Sequence, residues 1–177
     1  AEGARPAEKL TENPAWDTHP VFSPDGKKLA WTAMARPGFE ADRFRIVVQD
    51  FPEGEPKVIT EDWDRSVRSL AWSPDGSKLL VTAQDLGQVS MFEVDAETGE
   101  FQGVHSVGTS GSAQYVDEQR IVFTRHDLQH PAELFTIGRD GKDVQQLSHV
   151  NDERIAAAQM GDYEQFTFTG AKGDRVY

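Results

Sequence analysis

The phrase Ser-Pro-Asp-Gly occurs twice in this chain, at residues 23–26 and 73–76. Each copy is followed by a segment in which apolar side chains alternate, at residues 29–33 and 79–83, as in a strand with one buried face. Proline, aspartate and glycine in this order favour a tight turn, because proline presets one backbone angle and glycine tolerates positive φ. The phrase therefore predicts a turn that begins the second strand of a repeated unit.

Two fainter copies of the strand follow, in YVDEQRIVFT and in GDYEQFTFT. The leading apolar residues of the four copies are spaced by 50, 42 and 45 residues, and a threonine stands three positions after each of them. These threonines are Thr32, Thr82, Thr124 and Thr169. A period of roughly 40–50 residues is typical of the four-stranded blades of a β-propeller.

The fold class predicted from this repeat is all-β, a single domain over residues 1–177 that forms a partial β-propeller of about three and a half to four antiparallel blades. First strands are predicted at residues 18–22, 69–72 and 155–160. The predicted units are an outer strand at 8–11, blades at 18–60, 68–107 and 112–148, and an incomplete blade at 154–177.

The ends of the chain do not coincide with blade boundaries, which leaves two interpretations open. The chain is either a piece of a larger propeller, which we expect, or a four-bladed ring closed by its opening strand. Open blade edges would also permit self-association.

Composition limits the classes of partner. With 18 basic and 30 acidic residues the net charge is −12, so we expect no nucleic-acid partner. No apolar stretch approaches the roughly 20 residues of a membrane helix, and we expect no membrane partner. Cysteine is absent, which excludes disulfides and thiolate catalysis. The compartment stays open, periplasmic or cytoplasmic in a bacterial-like setting.

The stretch LTENPAWDTHPVFSPDGKKLAWTAMARPGFEADRFRIVV at residues 10–48 resembles propellers of the prolyl oligopeptidase family of serine peptidases, in particular dipeptidyl aminopeptidases and acylaminoacyl peptidases. Residues 131–177 are similar to the last blades of those propellers, and the SPDG repeats are shared with TolB. The resemblance implies a parent serine exopeptidase that acts on short peptides, with an α/β-hydrolase domain absent here. No G-x-S-x-G nucleophile motif occurs, so we expect no catalytic residue in this chain. The nearest string, at residues 108–112, is predicted to be a flexible connection between blades.

The insertion GFEADR supplies the candidate substrate-binding residues Glu40, Asp42 and Arg43. An exopeptidase that removes residues from a free amino terminus needs a carboxylate to pair with the substrate ammonium. In dipeptidyl peptidases of the family the propeller supplies such residues, and Glu40 resembles them in its place on a loop between strands. The alternative is an exposed loop with an internal pair between Arg43 and either Glu40 or Asp42.

No metal or cofactor is expected. His126 and His130 are predicted to lie on a surface loop without further zinc ligands. Residues 95–99 and 140–143 contain aspartate and glycine but lack the full ligand series of a calcium loop, which favours turns.

The main hypothesis is therefore the substrate-gating and N-terminus-recognising propeller of a serine exopeptidase. A non-enzymatic, protein-binding propeller of the TolB kind is the alternative. The third hypothesis is a truncated propeller that assembles by itself.

Overall fold

A computed structural model describes residues 7–177, and residues 1–6 of the predicted domain lie outside the described part. The first blade is a four-stranded antiparallel sheet whose strands are neighbours in chain order. Its strands are β1 (Asp17–Phe22), β2 (Lys28–Ala33), β3 (Arg45–Asp50) and β4 (Lys57–Val58).

Two further blades follow with the same order of strands. Blade 2 contains β5 (Val67–Trp72), β6 (Lys78–Asp85), β7 (Gln88–Asp95) and β8 (Phe101–His105). Blade 3 contains β9 (Thr109–Tyr115), β10 (Arg120–His126), β11 (Glu133–Gly138) and β12 (Gln145–Gln146). A parallel pairing of Val89 with Thr109 joins the two blades into one eight-stranded sheet. The prediction of an all-β fold of four-stranded antiparallel blades is confirmed.

The last part of the chain differs from the prediction. A short helix, α1 (Asp152–Ala157), replaces the first strand predicted at 155–160. Two acidic residues in its first turn favour a helix N-terminus, and the alanines that follow are strong helix formers. The chain then forms a two-stranded hairpin, β13 (Phe168–Thr169) and β14 (Arg175–Val176), around a 3₁₀ turn at Ala171–Gly173. Residues 8–11 make no strand pairing within the described range.

Both SPDG phrases form the predicted turn. In the first copy, the Ser23 hydroxyl donates to Asp25 Oδ1 (2.7 Å), and the same oxygen accepts the Lys27 N–H (3.0 Å). The Lys28 N–H closes the turn on Ser23 Oγ at 2.9 Å, and Gly26 has a φ of +71°. The second copy makes the same set of bonds through its own serine and aspartate. The phrase is thus a self-contained hydrogen-bonded turn.

The repeated threonines support an irregularity in the first strand of each blade. Each first strand departs from regular register when it pairs with the second, as a β-bulge does. At these sites Thr32 donates to the carbonyl of Thr18 (3.2 Å) and Thr124 donates to that of Gly111 (3.0 Å). Thr82 shares a hydrogen bond of 2.7 Å with the Ser69 hydroxyl. The threonine therefore ties the bulged strand to its neighbour.

Two apolar clusters hold successive blades together. One joins blades 1 and 2 and includes Ile46, Trp63 and Val81; the other joins blades 2 and 3 and includes Met91 and Phe123. Protein interiors are packed so densely that the removal of even one methylene group lowers stability. The clusters account for the stacking of the blades.

Glycines in the turns between third and fourth strands bring blades into close contact. A Cβ atom on Gly99, whose φ is +78°, would lie 1.7 Å from the carbonyl oxygen of Ile59 in blade 1. A Cβ on Gly141, also at +78°, would lie 2.7 Å from the carbonyl oxygen of Val104 in blade 2. Each turn thus approaches the backbone that ends the preceding blade.

The connection predicted at residues 108–112 is instead mostly strand, because Thr109 begins β9. Gly111 lies opposite Thr124, where a Cβ would meet Thr124 Oγ1 at 3.0 Å. The glycine therefore reflects close packing inside a sheet, and flexibility was the wrong interpretation.

Antiparallel order places the connections of each blade at two opposite ends. Turns between first and second strands, and between third and fourth, lie at one end. Connections between second and third strands lie at the other, which we name the loop face. Its segments are residues 34–44, 86–87 and 127–132.

Candidate functional site

The insertion predicted to bind substrate is the loop at residues 34–44, on the loop face of blade 1. Asp42 fixes its shape, because Asp42 Oδ2 accepts the backbone N–H groups of Ala35 (2.7 Å) and Arg36 (2.8 Å). The guanidinium of Arg36 lies 3.5 Å from the same carboxylate. Hydrogen bonds from Ala35 and Arg36 lower the pKa of Asp42 from 3.8 to about 2. Asp42 therefore closes the loop and stays ionised.

Arg43 anchors the loop to the chain that follows β4. Its guanidinium donates to the carbonyl oxygens of Thr60 (3.3 Å) and Glu61 (2.8 Å). The next residue, Phe44, accepts the N–H of Val67 at 3.1 Å and so links the loop to the start of blade 2. Arg43 is thus a positioning residue.

Glu40 has a different environment from its two neighbours. It is exposed, and its carboxylate makes no hydrogen bond or ion pair with any residue in the range 7–177. Next to it, the partly exposed ring of Phe39 lies under the Arg36 guanidinium, 3.8 Å from ring centroid to the guanidinium carbon. The tip of the loop therefore presents a free carboxylate beside an apolar ring.

The three predicted residues lie on one loop but have separate roles. Neither alternative pair forms, because Asp42 pairs with Arg36 and Arg43 binds carbonyl groups. Of these three side chains, only that of Glu40 has no hydrogen-bond or ion-pair partner among residues 7–177. Asp42 and Arg43 hold the loop on which Glu40 stands.

A buried ionic cluster between blades 2 and 3 was not predicted. Glu93, which is almost fully buried, accepts hydrogen bonds from Tyr115 Oη (2.6 Å), from Gln102 Nε2 (3.2 Å) and from Arg139 Nε. Burial and the bond to Glu93 raise the pKa of the Tyr115 hydroxyl. The sequence offered one indication, a glutamate within the apolar run MFEV. Glu93 belongs to blade 2, and Tyr115 and Arg139 belong to blade 3, so this cluster links the two blades.

The histidine pair resembles no metal site. His126 ends β10, which corrects its predicted place on a loop, while His130 lies on the loop and contacts Asp127 Oδ1 at 2.9 Å. No group of three or more metal-ligating side chains was found among residues 7–177.

Asp95 and Asp140 accept backbone N–H groups from their own turns, which confirms the prediction of turns. No helix in the described part is long and apolar enough to cross a membrane.

Comparison with known proteins places this geometry in context. No family model matches the chain. A probable dipeptidyl-peptidase 5 of Aspergillus niger is 32% identical over 157 residues, which are 86% of this chain and 22% of that protein. The chain thus spans about a fifth of the length of that relative.

Solved structures agree in fold. Acylaminoacyl peptidase of Pyrococcus horikoshii superposes with a TM-score of 0.67 at 21% identity, over 84% of this chain and 22% of that one. TolB of Acinetobacter baumannii gives a TM-score of 0.62 at 26% identity, over 77% of this chain and 33% of that one. The predicted propeller fold is confirmed.

Proposed function

We propose that this chain, which is related to the β-propellers of prolyl oligopeptidase-family peptidases, is the substrate-admitting propeller portion of a serine exopeptidase. The dipeptidyl-peptidase 5 relative and the acylaminoacyl peptidase neighbour support this assignment. The substrates would be short peptides, and catalysis would belong to a hydrolase domain outside this chain.

Within that enzyme, Glu40 would pair with the free amino terminus of the peptide. The observation that carries this role is a carboxylate with no partner among residues 7–177, at the tip of a loop that Asp42 and Arg43 fix at its base. A desolvated ammonium is costly to bind unless a charge or hydrogen-bond acceptor meets it. The carboxylate supplies both, and its rigid support reduces the conformational entropy lost on binding.

The test is Glu40→Gln in the full-length peptidase that contains this chain. A charge-assisted hydrogen bond contributes about 1.5–3 kcal/mol, so kcat/KM for a free-amine dipeptide substrate should fall by about 10- to 150-fold. For the same peptide with an acetylated amino terminus, kcat/KM should change little.

The matched control is Glu53→Gln, an exposed glutamate on the turn between β3 and β4, at the opposite end of blade 1. This variant should behave as wild type with both substrates. Equal turnover of the free-amine substrate by Glu40→Gln and wild type would show that Glu40 does not bind the amino terminus of the substrate. Equal losses with the two substrates would assign Glu40 a structural role.

The likeness to TolB supports a second candidate, a propeller that binds proteins without catalysis. The gene sequence beyond Tyr177 separates the two. A downstream hydrolase domain with G-x-S-x-G supports the peptidase, and a stop codon supports the binding propeller.

A further inference from the structure

The Glu40 loop, residues 34–44, rests on the chain between β4 and β5. This chain, residues 59–66, is here called the connector. Arg43 of the loop donates to two carbonyl groups at the start of the connector, as described above. At the end of the connector, the Ser66 hydroxyl accepts the N–H of Phe44 at 3.0 Å. The loop is thus bonded to both ends of the connector.

The bonds inside the loop shape it but do not place it on the propeller. Asp42 closes the loop on two of its own N–H groups. Hydrogen bonds from the loop to other described residues are made by Met34 at its start and by Arg43 and Phe44 at its end. Met34 bonds to residues before β1, at a distance in sequence from the tip. The end of the loop near its tip is therefore placed by the connector.

One side chain of the connector fastens it to blade 2. Arg65 donates from Nε (3.0 Å) and from Nη2 (2.6 Å) to Asp85 Oδ1. Its third nitrogen, Nη1, donates to Asp64 Oδ1 at 2.5 Å. Asp85 ends β6 and pairs with Gln88 at the base of the hairpin turn at 86–87 on the loop face. Arg65 therefore joins the connector to the loop face of blade 2.

The contact between Arg65 and Asp85 is suited to holding a position. Fully exposed ion pairs contribute little, because solvent screens them and both side chains lose conformational entropy. Here the two side chains are only 27% and 22% exposed. The guanidinium is a planar, rigid group, and two of its nitrogens bind the same carboxylate oxygen. We therefore expect the pair to restrain the connector.

We infer that Arg65 is a positioning residue for the Glu40 loop. It fixes the connector to blade 2, and the connector holds the end of the loop that places the Glu40 carboxylate. Since its use in binding rests on the function proposed for Glu40, Arg65 itself would not touch the substrate. Displacement of a group by about 1 Å can cost about 100-fold in rate even when the mutation lies far from the chemistry.

Hydrogen exchange measured by mass spectrometry tests the position of the loop independently of any ligand. The full-length protein that contains this chain is compared with its Arg65→Ala variant. The amides of residues 35–44 should exchange at least about threefold faster in the variant, because the connector can move away from blade 2. Unchanged exchange in this segment would overturn the inference, whatever the role of Glu40.

Kinetics test whether Arg65 acts through Glu40. In the full-length peptidase, Arg65→Ala should lower kcat/KM for a free-amine dipeptide substrate by about 2- to 30-fold, the range expected for a residue that acts through a network. The change should appear mainly in KM, because the amino terminus is a binding contact. With the acetylated peptide kcat/KM should change little.

A double variant completes the kinetic test. In a protein that already carries Glu40→Gln, Arg65→Ala should change kcat/KM for the free-amine substrate by less than about twofold, because the group that it positions is gone. Losses that add in the double variant would show that Arg65 acts independently of Glu40 and would overturn the inference.

The matched control is Arg120→Ala, which also removes an ion pair of a partly buried arginine. Arg120 Nη2 lies 2.9 Å from Asp143 Oδ2, and its side chain is 31% exposed, at the end of blade 3 opposite the loop face. This variant should match wild type in both measurements, and equal effects of the two alanine variants would overturn the inference. Arg65→Lys keeps the charge but lacks the paired donors, so it should restore part of the loss. The lysine variant also replaces the alanine variant if the latter does not fold.

Failure of the proposed function would give a different pattern from failure of this inference. If Glu40→Gln left kcat/KM unchanged while Arg65→Ala accelerated exchange at residues 35–44, the function proposed for Glu40 would be wrong. Arg65 would then still be the residue that positions the loop.

Discussion

Replacing Gly99 by alanine should weaken the contact between blades 1 and 2. The added Cβ would lie 1.7 Å from the carbonyl oxygen of Ile59 and 2.7 Å from its carbon, far inside van der Waals contact. Both are backbone atoms, so the overlap can be relieved only if the turn at 95–99 moves away from blade 1. That movement would also loosen the apolar cluster that contains Ile59 and Trp63.

The expected loss combines two contributions. A non-glycine residue in the left-handed region costs about 1–2 kcal/mol, and Gly99 has a φ of +78°. Overpacking of a well-packed contact costs about 1–3 kcal/mol. The free energy of unfolding should therefore fall by about 2–5 kcal/mol, out of a total that for domains is about 5–15 kcal/mol.

Two other glycines separate these contributions. Gly26 has a similar φ of +71° and no atom within 4 Å of an added Cβ, so Gly26→Ala should lose only the conformational part, about 1–2 kcal/mol. Gly141→Ala, with its Cβ 2.7 Å from the Val104 carbonyl oxygen, should fall between the two.

Urea unfolding followed by tryptophan fluorescence measures the series. Trp63 is a suitable probe because its ring lies 4.8 Å from that of Phe101 and 5.1 Å from that of Phe92, measured between centroids, at the contact in question. If Gly99→Ala and Gly26→Ala lost the same free energy, the close approach of the blades would contribute nothing measurable and the reasoning would be refuted.

Two further predictions concern charged groups. The second SPDG turn lowers the pKa of Asp75 from 3.8 to about 2, chiefly through the Ser73 hydroxyl, so its carboxylate stabilises the fold above pH about 4 and loses that effect as the pH falls towards about 2. The stability difference between wild type and Asp75→Asn in urea titrations should therefore shrink over this window; a constant difference would contradict the assignment. Tyr115→Phe removes one donor from the buried Glu93, so the free energy of unfolding should fall by about 1–3 kcal/mol in denaturant titrations, and an unchanged value would show that Arg139 and Gln102 satisfy the carboxylate without it.

The repeat was predictable because turn chemistry and strand periodicity are local. The SPDG phrase contains every group that its turn needs, so its geometry follows from four residues and their neighbours. The function of the repeated threonines was not predictable in the same way. Thr32 and Thr124 bond to carbonyl groups exposed by a bulge, and a bulge depends on how two strands pair.

The two errors in secondary structure have opposite causes. At residues 155–160 the repeat suggested a strand, but the segment DERIAAA, which is rich in strong helix formers, forms a helix. At residues 108–112 glycine and serine suggested a flexible connection, but pairing with β10 made a strand. Propensity decided the first segment, and tertiary contacts decided the second.

The candidate site was predictable as a loop but not in its division of roles. Glu40, Asp42 and Arg43 are close together in the sequence, and the sequence therefore predicted that they lie on one insertion. Which carboxylate faces solvent depends on the positions of the Ala35 and Arg36 amides, and these follow from the folded loop.

The buried Glu93 has a consequence for how three similar blades find the correct neighbours. At the matching position of the third strand, blade 1 has Val48 and blade 3 has Thr136, so only blade 2 presents a carboxylate there. Arg139 of blade 3 compensates its charge, and Tyr115 of blade 3 donates a hydrogen bond to it. A buried charge without its partners is strongly destabilising, so misassembly that placed another blade against Glu93 would be rejected. The other contacts between blades are apolar and similar to one another. The single carboxylate of Glu93 thus specifies which blade packs on this face of blade 2.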